Sequence, residues 1–169
     1  ADSEFNDIEL LQRSLVQASD DGGSIYLRGH TIDIVDSSGL FIQHTGSQTG
    51  GNLTLNASDT ITFSQNQATD FNARAEIQAF GTGQTGELKV FANQLRLENG
   101  GLVQTSSYSS GGVGAIQINV AESIDIIGFP NDLTPEISRI SSNGIQGSSS
   151  DIFISTSRLN LRNAGNIYT

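Results

Sequence analysis

The sequence predicts an all-β fold, a right-handed parallel β-helix of about five to six coils with three short strands in each. Three observations lead there. Short apolar alternations recur as a set of three, equivalent aliphatic residues recur in equivalent slots, and the sets follow one another at regular intervals. Strict alternation puts one face of a strand in a core and the other in water. A set of strands that repeats as a unit, each too short to bury its own apolar face, is the pattern of a solenoid.

The first strand of the set is read at Ile25/Leu27, Leu53/Leu55, Leu88/Val90, Ile116/Ile118 and Ile152/Ile154, in most cases shortly after a glycine. Counted from Ile25, Leu53, Leu88, Ile116 and Ile152, the intervals are 28, 35, 28 and 36 residues. A third inward slot holds Gly29, Ala57, Ala92, Val120 and Thr156, small residues where the chain turns. The second strand follows at Ile32/Ile34, Ile61/Phe63, Leu95/Leu97, Ile124/Ile126 and Leu159/Leu161, with Ile8/Leu10 as its counterpart in an earlier, partial coil. The third is read at Val16–Ala18, Ile42–His44, Ile77–Ala79, Val103–Thr105, Ile140–Ser142 and Ile167–Thr169. One domain results, with a partial coil 1–22, coils 23–50, 51–85, 86–113 and 114–150, and a partial coil 151–169. At about 4.8 Å per rung the stack is on the order of 25–30 Å long, and each buried aliphatic side chain contributes roughly 1.5–3 kcal/mol.

An antiparallel sandwich also uses short strands and glycine-rich turns. Its two-residue hairpin signals are few here, namely Asp21-Gly22, Asn99-Gly100 and Asn143-Gly144, and all fall at corners of the repeat. The repeating triplet favours the solenoid.

On the wet side, the third strand sets Gln17, Gln43, Gln78 and Gln104 in one outward column, continued by Ser141 and Tyr168. Stacked amides bond along the axis as an Asn/Gln ladder; the plainer alternative is glutamine tolerated on a wet strand. The second strand sets Asp33, Thr62, Arg96, Asp125 and Asn160 in a column, with Arg96 and Asp125 as a cross-rung ion pair. Coil length alternates because the segments 64–74 and 127–138 replace the short links Val35–Gly39 and Glu98–Gly101. Insertions in a solenoid map to loops on one face, often the binding face. Phe71 in one loop, and Phe129, Pro130 and Asp132 in the other, are the candidate interaction residues; the alternative is that both loops only cover one sheet.

Composition narrows the function. Asp and Glu number 18 against 8 Lys and Arg, a net charge of -10. Phosphate binding draws on clustered Lys and Arg, so neither nucleic acid nor an anionic membrane is an expected partner, and no apolar run is long enough for a membrane helix. There is no Cys for disulfides or thiolate metal sites. The two histidines, His30 and His44, fall in different parts of the repeat, and His44 is read as a solvent-facing strand end, so no metal or cofactor is expected. Asp132 and Glu136 share a loop with Asn131 and offer oxygens for calcium, but a single acidic corner is ordinarily just solvated. Asp33 and Asp125 stand three rungs apart, about 14 Å by the rung spacing, which is too far for the paired carboxyls of a glycosidase. No enzyme is expected. Outward Tyr26, Phe41, Phe91 and Phe153 offer rings for a sugar but are scattered over two strands. With Ala1 first and Thr169 last in mid-pattern, the chain reads as a piece of something longer.

The stretch Leu95–Ser106, LRLENGGLVQTS, followed by Gly111–Ile118, GGVGAIQI, resembles the repeats of large filamentous-haemagglutinin-type exoproteins secreted by the two-partner route, especially the cyanobacterial ones. The resemblance covers nearly the whole chain from Ile8 onward. It implies export through an outer-membrane secretion pore, a β-helical fibre at the cell surface or outside it, and adhesion to a surface receptor or glycan. The secretion domain of such proteins carries Asn-Pro-Asn-Gly-type motifs, whereas the one Asn-flanked proline here is in Phe129-Pro130-Asn131, so this chain matches the shaft. The expected function is that of a structural and adhesive shaft segment, the alternative a carbohydrate-binding or carbohydrate-active β-helix. Open rungs at both ends lead us to expect end-to-end self-association.

Overall fold

A computed structural model describes residues 5–19, 22–65, 71–128 and 137–169. Its strands, in chain order, are β1 (Ile8–Leu10), β2 (Leu15–Ser19), β3 (Ile25–Gly29), β4 (Ile32–Val35), β5 (Gly39–His44), β6 (Leu53–Ala57), β7 (Thr60–Ser64) and β8 (Arg74–Ala79). They continue with β9 (Leu88–Glu98), β10 (Leu102–Ser107), β11 (Ile116–Ile127), β12 (Arg139–Gly144), β13 (Ile152–Ser155), β14 (Arg158–Arg162) and β15 (Asn166–Tyr168). The fold is all-β, with two parallel sheets and a sequential strand order of solenoid-like, repeating character.

The nine-stranded sheet stacks β1, β4, β7, β9, β11 and β14 along one ribbon and β3, β6, β9, β11 and β13 along another. Its register matches the slots read above. Ile25, Leu53, Leu88, Ile116 and Ile152 lie opposite one another in succession, as do Ile8, Ile32, Ile61, Leu95, Ile124 and Leu159. In two repeats the ribbons fuse. β9 and β11 run through the expected corner as single strands of 11 and 12 residues, with a register shift between Val120 and Ser123. At the same corner Asn93 and Gln94 both donate to the Asp59 carbonyl, at 2.8 and 3.1 Å. A bulge of this kind bends a strand without ending it, so the predicted break is a kink.

The six-stranded sheet runs β15-β12-β10-β8-β5-β2; the expected equivalences hold at Ile42–Ile77, Val103–Ile140 and Ile140–Ile167 and slip by two residues at the other two strand pairs. Ala18 faces Ile42 rather than His44, and Val103 faces Ala75 rather than Ile77. Between the sheets lies the core: Leu53, Leu55, Ile61, Phe63, Leu88, Leu95, Leu97, Ile124 and Ile126 from the first, and Leu40, Ile42, Ile77, Val103 and Ile140 from the second.

Two backbone devices hold successive repeats at the rung spacing. A Cβ at Gly51, Gly86 or Gly114 would collide with the carbonyl oxygen of Gly23, Gly51 or Gly86 respectively, so backbone packs directly on backbone where the first strand begins. At the short corners, residues 12–13, 36–37, 99–100 and 163–164 all take positive φ, between 49° and 95°. Each pair is spanned by a turn hydrogen bond, for example Gly101 N–H to the Glu98 carbonyl at 3.1 Å and Gly165 N–H to the Arg162 carbonyl at 2.9 Å. Positive φ at both central residues is the geometry of the type I′ hairpin turn. Here it joins strands of two different sheets, which is why Asn99-Gly100 marks a corner and no hairpin.

Candidate functional site

The outer face of the six-stranded sheet carries a side-chain hydrogen-bond network that crosses the rungs. Its central column reads Gln17, Phe41, Glu76, Gln104, Ser141 and Tyr168; the next outward column reads Ser19, Gln43, Gln78, Ser106 and Asn143. The four glutamines therefore share no single column. Only Gln43 and Gln78 are in register, Gln17 standing opposite Phe41 and Gln104 opposite Glu76. Between β8 and β10 the slip has a steric reason, since Ala75, Ala79, Thr105 and Ser107 are small enough inside to permit either alignment.

A hydrogen-bonded chain nonetheless crosses the rungs. Gln17 Nε2 donates to Gln43 Oε1, and Gln43 Nε2 to Gln78 Oε1, both at 3.2 Å. Gln78 Nε2 donates to Glu76 Oε1 at 2.9 Å, and Gln104 Nε2 reaches the same oxygen at 3.0 Å. Gln104 Oε1 then accepts from Arg139 Nη2 at 3.1 Å and from Ser141 Oγ at 3.0 Å. Glu76, only 3 % exposed, is the junction. Arg74 lies 3.8 Å from its carboxylate and 4.3 Å above the Phe41 ring. Burial pulls the Arg74 guanidinium below its ordinary pKa, and the charge of Glu76 opposes that shift.

The next residues outward are aromatic. Phe80 and Tyr108 stack with centroids 5.0 Å apart and planes 6° from parallel, and Ile145 extends the row, 63 % exposed. Beside Tyr108 opens a cleft of about 530 Å³ lined by Gln104, Ser106, Arg139, Asn143, Ile145 and Tyr168, among others. Glu76, Phe80, Tyr108 and Arg139 were absent from the sequence-level site. Extending the third-strand alternation two residues past Gln78 and Ser106 would have found Phe80 and Tyr108.

The long loops are tied at their bases. The Gln65 side chain donates to the Phe71 carbonyl at 2.7 Å and accepts from Ala73 N–H at 3.0 Å. Ser138 Oγ donates to the Ile127 carbonyl at 2.7 Å and accepts from Gly100 N–H at 3.0 Å. Phe71 is 48 % exposed, with the Arg74 guanidinium 5.7 Å from its ring. Phe129, Pro130 and Asp132, with Asn131 and Glu136, lie outside the described residues.

Two expectations need correction. His44 is fully buried: β5 runs through it, Phe80 N–H bonds its carbonyl at 2.8 Å, and Gly50 and Gly83 close over the ring. Among the described residues neither ring nitrogen has a hydrogen-bond partner. Arg96 does lie opposite Asp125, but its ion pair is with Glu98 on its own strand, at 2.6 Å. Two residues along a strand is the same face, and Asp125 instead accepts from Asn160 Nδ2 at 2.7 Å.

Elsewhere, Tyr26 and Phe153 are exposed at opposite ends of one column, Phe91 stands in the neighbouring column, and Phe41 lies on the other sheet under Arg74, so these four rings form no common surface. His30 Nδ1 is 3.0 Å from Ser58 Oγ. Among the described residues, no group of three or more His, Cys, Asp or Glu converges as metal ligands, and no helix is long and apolar enough to cross a membrane. Family models, curated proteins and solved structures were all compared with the chain, and none matches.

Proposed function

We propose that the chain is a right-handed parallel β-helix of about five to six coils that serves as a structural and adhesive shaft segment of a secreted cell-surface exoprotein. The observation that carries the reading is the parallel stacking of Ile8, Ile32, Ile61, Leu95, Ile124 and Leu159 opposite one another through successive repeats. Parallel crossovers are right-handed almost without exception, which gives the coil its hand. A long stack with one continuous core suits a spacer that holds binding surfaces away from a cell, and repeat proteins use their extended faces in this way. In this reading loops 64–74 and 127–138, whose described bases are held by Gln65 and Ser138, meet a surface receptor or glycan. The resemblance of residues 95–118 to two-partner exoproteins supports export through an outer-membrane pore.

The same reading gives the two ends a partner in a second copy. Exposed Asp7, just before β1, and Glu9 within it stand at one end, and β14 carries exposed Arg158 and Arg162 at the other. Stacking Leu159 on Ile8 continues the internal register and sets Arg158 beside Asp7.

Deleting 66–70 and 129–136 together tests the adhesive role. Beads coated with the intact chain are expected to bind cells, and beads coated with the deletion variant to lose most of that binding. Equal binding by both sinks the role of the loops, and no binding by either sinks the adhesive reading. Sedimentation should show concentration-dependent association that weakens with added salt; a monomer at every concentration contradicts the end-to-end contact.

A further inference from the structure

We propose that the groove over the kink of the nine-stranded sheet binds an unbranched neutral glycan, a β-linked glucan lying along the stack. The inference goes beyond the adhesive reading, which places contact at the loops, and it rests on other residues.

The groove holds about 380 Å³ and passes Ala57, Ala92, Ala121 and Ser155 in successive repeats, a length of about 14 Å at the rung spacing. The strands beneath it, β6, β9 and β11, are each paired on both sides, so its walls depend on no open end of the stack. The kink creates it. Ala121 and Glu122 stand against the single residue Asn93 where the register shifts, and a bulge of this kind bends a strand and re-aims its side chains. Small residues at the bend leave the surface low between Phe91 and Asn119 before it and Ser58 and Asn93 after it.

Three features fit a glycan. Phe91, half-buried, offers an apolar surface to the C–H face of a pyranose ring. Asn93, Asn119 and Ser58 carry amides and a hydroxyl that both donate and accept, as sugar hydroxyls do. Two of these are already held: Asn93 Nδ2 donates to the Ser58 carbonyl at 2.9 Å, and Ser58 Oγ lies 3.0 Å from His30 Nδ1. Groups ordered in advance lower the cost of binding. The third feature is the repeat itself. Equivalent positions recur about every 4.8 Å, and each ring of an extended β-linked glucan advances by nearly the same step. Successive rings therefore meet successive repeats.

A peptide fits less well. Extended peptides are commonly captured by adding a strand to an open sheet edge, and the strands under the groove have both edges paired. The described lining is uncharged, so it offers no ion pair to an acidic or basic chain.

The test is a nuclear magnetic resonance titration of the whole isotope-labelled chain with cellobiose, cellotetraose and a Gly-Ser decapeptide. Cellotetraose is expected to shift the amides of Ala92, Asn93, Asn119 and Ala121. It should bind about tenfold more tightly than cellobiose, because it spans more repeats. Asn119→Ala should weaken it about fivefold. Ala121 is exposed, so Ala121→Tyr fills the groove without entering the core and should abolish the shifts. Absence of shifts at these amides, equal affinity for the two sugars, undiminished binding by Ala121→Tyr, or equal shifts with the peptide overturns the proposal. The titration uses no cells, so its outcome and that of the loop deletion are read independently.

Discussion

The two sheets are built from the same repeat but held by different means. In the nine-stranded sheet nearly every inward slot is a large aliphatic or Phe63, stacked on its equivalent in the next repeat. In the six-stranded sheet the inward slots change along the axis, from Leu40, Ile42 and His44, through Ala75, Ile77 and Ala79, to Val103, Thr105 and Ser107. Hydroxyls there bind turn backbone: Ser107 Oγ donates to the Gly111 carbonyl at 2.7 Å, and Ser142 Oγ accepts from Ser150 N–H at 3.0 Å. Large side chains admit one alignment, because a slip leaves voids and clashes. Small polar ones admit several, and the outer network of Glu76 and its glutamines then fixes the choice.

Truncating each sheet sharpens that contrast. Phe63→Ala removes the largest fully buried side chain and should cost about 3–5 kcal/mol in urea unfolding. On the second sheet, Glu76→Ala strands Arg74, Gln78 and Gln104 together and should cost about 1–3 kcal/mol. Glu76→Gln keeps an acceptor oxygen and should recover part of the loss. If Glu76→Ala costs nothing, the outer network does not fix the register.

Replacing His44 by Leu should act in the opposite sense. Two buried ring nitrogens without partners carry a desolvation cost, and an apolar side chain removes it, with an expected gain of about 1 kcal/mol. A loss of stability would mean that the imidazole makes a bond unseen among the described groups. The smallest effect is at a corner. Ala164 has φ 62°, a conformation costly for a residue with a Cβ, so Ala164→Gly should raise stability by about 0.5 kcal/mol. The equivalent site in the third repeat already holds Gly100, and Gly100→Ala should lower stability there.

The same contrast explains what was legible in the sequence. Pairs such as Ile32/Ile34 over Ile61/Phe63 over Leu95/Leu97 declare both strand and register, because alternation and size agree. Over Val16–Ala18, Ile77–Ala79 and Val103–Thr105, alternation gives the face but not which residue meets which, and the glutamine column was misaligned by two as a result. His44 shares the parity of Ile42 and so points inward, but its slot, held in other repeats by Ala18, Ala79, Thr105 and Ser142, reads as a strand end facing solvent. The continuity of β9 and β11 left no local signal, since Asn93 and Glu122 suit a corner as well as a bulge. Arg139 and Tyr108 are brought together only by the stacking of two repeats, which no single stretch of sequence displays.

The parallel stacking itself is open to one direct measurement. The chain contains no Cys, so Asp33→Cys with Thr62→Cys introduces a single possible bridge between outward residues paired in register across β4 and β7. Neighbouring strands lie about 4.8 Å apart, within the span a disulfide covers. Mild oxidation followed by mass mapping should show rapid, intramolecular bridging with little loss of stability. A pair that stays reduced, or bridges only between molecules, would contradict the stacking of successive repeats.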